Sequence, residues 1–215
     1  MGSLAALAAE AAALLLAASC PGCDEPGSLL CEPCRRLLRS HRITVRTPEG
    51  REVIAALPFE GVAARCIRRV KEDGQTLLTR PLGSALAEVL PAHVAVVPLP
   101  TSRAAFRRRG YRVPELLVRR AGREPLRALA SVGGALDQRG LRREERARNV
   151  RGSLRATRAG RDATVLVVDD VITTGATMDE AWRVLEAAGF RVAGAVALAA
   201  TPRHGRARTR QVNGT

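Results

Sequence analysis

Apolar residues along this chain recur in two rhythms, and where the rhythm changes the elements can be read off. The stretch EVIAALPF, Glu52 to Phe59, is a compact run of aliphatic residues between polar segments and predicts a strand. HVAVVPLP (93–100), TVLVVDD (164–170) and FRVAGAVALA (190–199) predict three more buried strands, TVLVVDD being the strongest of all and PLRALAS (125–131) a weaker fifth. Between these runs the apolar positions move to helical spacing. Val62, Cys66, Ile67 and Val70 share one face of a helix from about Gly61 to Glu72, and Pro81 opens a helix carrying Leu82, Leu86 and Val89 inward. PELLVRRAG reads as a helix started by Pro114 and closed by Gly122, and Ala181, Val184, Leu185 and Ala188 line one face of a helix from Met178 to Ala188. CRRLLRSHR reads as a short basic helix. Strands alternating with helices predict an α/β fold, a parallel sheet with helices on both sides.

Three stretches lack that order. From Gly133 to Arg161 no apolar period is sustained and the charged RREERARNVRG intervenes, which predicts a mobile loop inside the domain, a common site of function. The end, TPRHGRARTRQVNGT, reads as a disordered basic tail. At the start, Leu4, Leu7, Leu14 and Leu15 can share one face of an alanine-rich helix. A secretory signal fits less well, because no Lys or Arg precedes the apolar run, Glu10 interrupts it, and Ala11 to Ala18 falls far short of the roughly 20 residues that span a bilayer. The expectation is a cytoplasmic protein without membrane insertion, divided into an N-terminal helix and cysteine knuckle (1–40), the α/β domain (41–202) and the tail (203–215).

The strongest strand raises the central chemical question, since it stops on two carboxylates, Asp169 and Asp170, and passes into Thr173, Thr174, Gly175, Ala176 and Thr177. In open parallel sheets ligands bind beyond the carboxyl ends of the strands, where these acids fall. The threonine loop leads into a helix whose first N–H groups and positive dipole end suit a phosphate. Adjacent strand residues point to opposite faces, so the acids act together only if the backbone turns there. Carboxylates would repel a bare phosphate, but they accept hydrogen bonds from hydroxyls, which points to a sugar phosphate. A Walker B strand would need a G-x-x-x-x-G-K-[ST] partner, which is absent, and a receiver domain would place its acidic pair near the N-terminus.

Composition narrows the partner. With 215 residues and 46% hydrophobic content the chain can bury a core, and its net charge of +14 favours an anionic partner, nucleic acid or phosphorylated small molecule. Lys71 is the only lysine among 35 basic residues. Arginine suits bidentate phosphate contacts, although genome composition would produce the same bias. Aromatics at 2% count against a module that stacks bases on exposed rings.

CPGCDEPGSLLCEPC places Cys20, Cys23, Cys31 and Cys34 as two C-x2-C pairs, the pattern of a closed, structural Zn2+ site. Redox pairs or a disulfide staple are the alternatives, the staple disfavoured by the lack of secretory features. Cys66, on an apolar helix face, reads as a core thiol.

VLVVDDVITTGAT closely resembles the phosphoribosyl diphosphate (PRPP) motif of type I phosphoribosyltransferases. That resemblance implies that Asp169 and Asp170 contact the ribose 2′ and 3′ hydroxyls, and that Thr173 to Thr177 bind the 5′-phosphate. VVPLPTSRAAFRRRGY resembles the family's pyrophosphate loop, with Ser102 and Arg103 at the matching positions and Arg107, Arg108 and Arg109 following. The order of knuckle, VKEDG, pyrophosphate loop, ARNVRGS and PRPP motif is similar to the ComF/GntX family across nearly the whole chain. The resemblance implies Mg2+ accompanying PRPP, Arg148 closing from the mobile loop, and a link to DNA uptake through single-stranded DNA and a helicase-like partner. RGYRVPEL departs from the family's R-G-F-N-Q, and SVGGALDQRGL reduces another element to a remnant, Gln138; both departures concern turnover more than PRPP binding.

Overall fold

The computed structural model describes residues 19–132 and 150–202. The N-terminal helix, Gln138, Arg148 and the basic tail lie outside the described residues. In chain order the elements are α1 (Glu32–Leu37), β1 (Ile43–Arg46), β2 (Glu52–Pro58), α2 (Gly61–Glu72), a 3-10 turn (Thr76–Leu78), α3 (Thr79–Ala87), β3 (Ala95–Pro98), α4 (Arg103–Arg109), α5 (Val113–Arg120), β4 (Leu129–Ser131), β5 (Leu154–Ala156), β6 (Thr164–Ile172), α6 (Ala176–Ala187) and β7 (Arg191–Ala200).

Five strands form one sheet in the order β1-β2-β7-β6-β3. β2, β7, β6 and β3 are parallel, and β1 closes one edge antiparallel to β2. β4 and β5 make a separate antiparallel hairpin. It attaches beyond the β3 edge through a bridge between Val96 and Pro125. The central strands are buried on both faces, as their unbroken apolar runs require. On one face Ile67, Val70, Leu82, Leu86, Leu117 and Val118 of α2, α3 and α5 pack on Leu166, Val168, Val196 and Leu198. On the other, Met178, Ala181 and Leu185 of α6 pack on Val165, Val167, Ala195 and Ala197, with Leu129 and Leu154 of the hairpin alongside.

The predicted elements hold with local corrections. β6 does not stop at the two acids: Val171 and Ile172 continue to pair with Ala199 and Ala200 of β7. The alternation is nonetheless interrupted there, because Val168 and Val171 both pack on the first face, where strict two-residue periodicity would separate them. The neighbouring strands slip in the same way, with Ala56 and Leu57 of β2, and Leu198 and Ala199 of β7, on that same face. The backbone change expected at the acids is therefore a shift of the pleat across three strands rather than the end of one. The segment following β3, read as loop, contains α4, capped by Ser102, whose hydroxyl accepts from Ala105 N–H at 3.2 Å. Within the predicted loop from Gly133 to Arg161, residues 133–149 lie outside the described residues and Leu154–Ala156 form β5. β1, four residues of alternating exposure, carried no apolar run to announce it.

Candidate functional site

The acids sit on β6 between its buried apolar run and the turn into α6. Asp170 is buried and Asp169 half-buried. Asp169 Oδ1 accepts the backbone N–H of Asp170 at 2.8 Å. The Nζ of Lys71, the last but one residue of α2, lies 2.6 Å from Asp170 Oδ1. This is the residue that sequence reasoning missed, and its signal was in view: the single lysine of an arginine-rich chain. Arg109 Nε donates to the Lys71 carbonyl at 2.7 Å, and the Tyr111 hydroxyl donates to the Val70 carbonyl. Side chains flanking Gly110 thus satisfy carbonyls at the open end of α2 and fix where its lysine emerges. Of the three arginines that follow the pyrophosphate-loop resemblance, Arg109 is engaged in this way, whereas Arg107 and Arg108 are exposed.

Beyond Ile172 the chain passes through exposed Thr173 and half-buried Thr174 to Gly175, which precedes α6 at φ +87°. A side chain at Gly175 would be strained by that φ and would approach Thr47 Cγ2 to 2.9 Å, so only glycine lets the loop close against the β1–β2 turn. Ala176 N–H meets Thr174 Oγ1 at 3.4 Å, and the first α-helical bond runs from Asp179 N–H to Gly175 O at 3.0 Å. The N–H groups of Ala176, Thr177 and Met178 therefore precede the helical ladder and are aimed out of its N-terminus, the arrangement that receives a phosphate. The acids in this first turn are directed elsewhere. Asp179 accepts from Glu49 N–H at 3.1 Å and Arg51 Nη1 at 3.0 Å. Arg51 lies over the Trp182 ring, 5.0 Å from its centroid. Glu180 holds Arg183 and the Gly152 N–H, which keep its carboxyl below the usual range against the opposing effect of burial.

Leu99 N–H donates to Val168 O at 2.8 Å, so the segment leading to Ser102 and Arg103 starts directly beside the acids. Sheet order therefore brings together Asp169, Asp170, the loop from Thr173 to Thr177, and the end of β3. Ser102 contributes its hydroxyl to α4, and Arg103 is exposed.

Cys20, Cys23, Cys31 and Cys34 form a separate cluster, their Sγ atoms all within 4.8 Å of one another. A tetrahedral Zn2+ with Zn–S bonds of ~2.3 Å has sulfurs about 3.8 Å apart. The Cys23–Cys31 Sγ separation of 3.5 Å is already close to that. Burial raises the Cys20 thiol, but N–H groups of Cys31, Gly22 and Cys23 outweigh it and bring it down to about 7, whereas burial and the neighbouring thiols push Cys34 up and Cys23 is raised as well, so Cys20 gives up its proton first and a metal would have to draw the others off. The four cysteines thus fit a structural zinc. Cys66, in contrast, is fully buried and pushed up to about 12 by burial, as a core thiol should be. No helix among the described residues is long and apolar enough to cross a membrane.

Residues 81–212, more than half of the chain, match the Phosphoribosyl transferase domain. The chain belongs to that family, and its sheet, helices and cysteine cluster make it a phosphoribosyltransferase-type α/β protein with an N-terminal four-cysteine cluster. No curated protein matches it. Among solved structures it is similar to an adenine phosphoribosyltransferase from Rhodothermus marinus, with 18% identity over 80% of this chain and 94% of that one, TM-score 0.38. An orotate phosphoribosyltransferase from Aeropyrum pernix shows 16% identity over 79% and 80%, TM-score 0.34. The UMP synthase of Leishmania donovani shows 16% identity over 78% of this chain, TM-score 0.37, and the chain spans 31% of that protein's length. Likenesses this distant carry no argument about substrate.

Two outcomes follow from the geometry. Burial, and then the neighbouring Asp170 charge, push the Asp169 carboxyl up to about 8, while Lys71 and the Asp170 N–H pull the other way. Its folded pKa lies above the ~4 of an unfolded aspartate, so its stabilising contribution is complete below about pH 4 and is lost as pH rises through about 8. Urea midpoints measured between about pH 5 and 9 should fall with pH in the wild type and fall less in Asp169→Asn; equal slopes would contradict the assignment. For the cysteines, protein purified without chelator should contain one zinc per chain, and Cys34→Ser should lose it; metal-free wild-type protein would remove the zinc site.

Proposed function

We propose that this protein binds PRPP or a related ribose 5-phosphate ligand at the end of β6 and transfers its phosphoribosyl group to an acceptor. The observation that carries this reading is the juxtaposition of Asp169 and Asp170 with the helix N-terminus seated on Gly175. One ligand bearing both hydroxyls and a phosphate answers both features. In this reading Asp169 and Asp170 accept hydrogen bonds from the ribose 2′ and 3′ hydroxyls, and residues Thr173 to Thr177 bind the 5′-phosphate. Ser102 and Arg103 receive the pyrophosphate, and Arg148, outside the described residues, closes over it. Mg2+ accompanying PRPP would supply charge neutralisation on the diphosphate.

Transfer breaks the bond between ribose C1 and the pyrophosphate oxygen, whose electron pair leaves with the pyrophosphate. The acceptor atom forms the new bond to C1 and releases its proton to solvent. The work of the chain is positioning and electrostatic stabilisation. Lys71 contributes by pairing with the Asp170 carboxylate at 2.6 Å and so fixing its direction. Calorimetric titration with Mg-PRPP should give saturable binding that weakens at least tenfold, ~1.4 kcal/mol, in Asp170→Asn. Unchanged affinity in that variant would refute the assignment of the acids.

A second reading, a ComF-like protein of the DNA-uptake machinery, is supported by the net charge of +14 and by exposed Arg107 and Arg108 on α4. Single-stranded DNA would be held through phosphate contacts, and the knuckle would dock a helicase-like partner. Fluorescence anisotropy with an unlabelled-competitor control should show affinity falling steeply with salt and reduced by Arg107→Glu with Arg108→Glu. Salt-independent binding, or binding indifferent to the charge reversal, would sink this reading.

A further inference from the structure

The helix that follows the phosphate loop carries acids close to its start. Asp179 stands in the first turn of α6 and Glu180 follows it, the two only 5% and 4% exposed. Helical side chains lean back toward the N-terminus, and a carboxylate there is drawn to the same positive end that a phosphate would occupy. Both acids therefore oppose a phosphate unless something else holds them. Glu180 is answered on its own helix, where Arg183 donates Nε to Oε2 at 2.9 Å and Nη2 to Oε1 at 2.8 Å. Asp179, nearer to the N–H groups of Ala176, Thr177 and Met178, is answered from outside it. Its Oδ1 accepts from Arg51 Nη1 at 3.0 Å and its Oδ2 from the Glu49 N–H at 3.1 Å, both in the β1–β2 turn.

That turn is closed on itself and seated on the site at two points. Thr47 N–H donates to Arg51 O at 2.9 Å, Gly50 N–H to Thr47 O at 3.0 Å, and Arg51 N–H to Thr47 Oγ1 at 3.2 Å. Thr47 is buried and stands against Gly175, and the Arg51 guanidinium lies over the Trp182 ring of α6, 5.0 Å from its centroid. Arg51 also pairs with Glu49, but that side chain is 54% exposed, so solvent screens its charge while Asp179 is enclosed. Arg51 precedes residues 81–212, the part of the chain that matches the Phosphoribosyl transferase domain, whereas the phosphate loop and Asp179 fall within it.

We propose that Arg51 is a positioning residue of the 5′-phosphate site. It draws the Asp179 carboxylate to the side of α6 and offsets its charge, which leaves the helix N-terminus to a phosphate dianion. The inference rests on the phosphate placement proposed above and extends that site to a turn 128 residues away in the chain.

The test is calorimetric titration of the full chain with ribose 5-phosphate and with Mg-PRPP. Arg51→Gln should weaken both at least about tenfold, whereas Arg51→Lys, which keeps the charge, should stay within about threefold of wild type. Arg51→Gln combined with Asp179→Asn should return to within about threefold of wild type, because the competing charge is gone. A turn that only braced α6 would gain nothing from that second change, so a loss that persists in the double variant overturns the proposal. Asp179→Asn alone should tighten binding, a readout that remains even where Arg51→Gln fails to fold; equal or weaker affinity there counts against the proposal. Mg-PRPP binding that is lost in Asp170→Asn but indifferent to Arg51→Gln overturns this inference and leaves the functional reading standing. Ribose 5-phosphate binding governed by Arg51, in a chain that takes no Mg-PRPP, supports the inference and counts against transfer from PRPP. Wild-type protein that binds neither ligand overturns both.

Discussion

The ion pair between Lys71 and Asp170 joins the C-terminal end of α2 to the strand that carries both acids, and most of the site's geometry follows from it. An ionised carboxylate that is nearly enclosed is costly unless a cation and hydrogen bonds accompany it. Lys71 supplies the cation, and the supply is reliable because its backbone is held from the other side by Arg109, with Tyr111 holding Val70. The helix in turn is seated by Ile67, Val70 and Cys66, each 1% exposed or less. Removing the lysine would leave the nearly enclosed Asp170 carboxylate without the cation that this helix supplies.

The same helix ties the site to the cysteine cluster. Cys20 and Cys34 pack in one layer with Cys66 and Ile67. Arg65 donates to the Gly22 carbonyl at 3.3 Å and pairs with Asp24 at 3.0 Å. One end of the helix therefore carries the lysine, and its middle is the floor on which the knuckle rests. On the opposite face of the sheet, Asp179, Arg51 and Trp182 lock the β1–β2 turn against the start of α6, and Gly175 lets Thr47 approach. Both acids and the phosphate loop are consequently held by packed elements on two sides rather than by the loop itself.

Much of this was legible in the sequence where chemistry and periodicity are local. The run of valines before Asp169, the helical spacing of Val62, Cys66 and Val70, and the paired cysteines each announce themselves within one short stretch of chain. What could not be read depends on contacts distant in the chain. Lys71 and Asp170 are 99 residues apart, and nothing near either one names the other. β1 was hidden because it is an edge strand with alternating exposure and no apolar run, and α4 because its arginines resemble a solvated loop until Ser102 is seen to cap them. The continuation of β6 past the acids was misjudged because charged residues usually end a buried strand; here Lys71 makes one of them tolerable inside it.

The central claim is that one ligand spans the acids and the helix N-terminus, and a crystal structure of the protein with Mg-PRPP tests it most directly. The account predicts the 5′-phosphate on the N–H groups of residues 176–178, the ribose hydroxyls within hydrogen-bond distance of Asp169 and Asp170, and Lys71 still within reach of Asp170. A ribose 5-phosphate group bound elsewhere, with the acids facing only Lys71 and water, would contradict it.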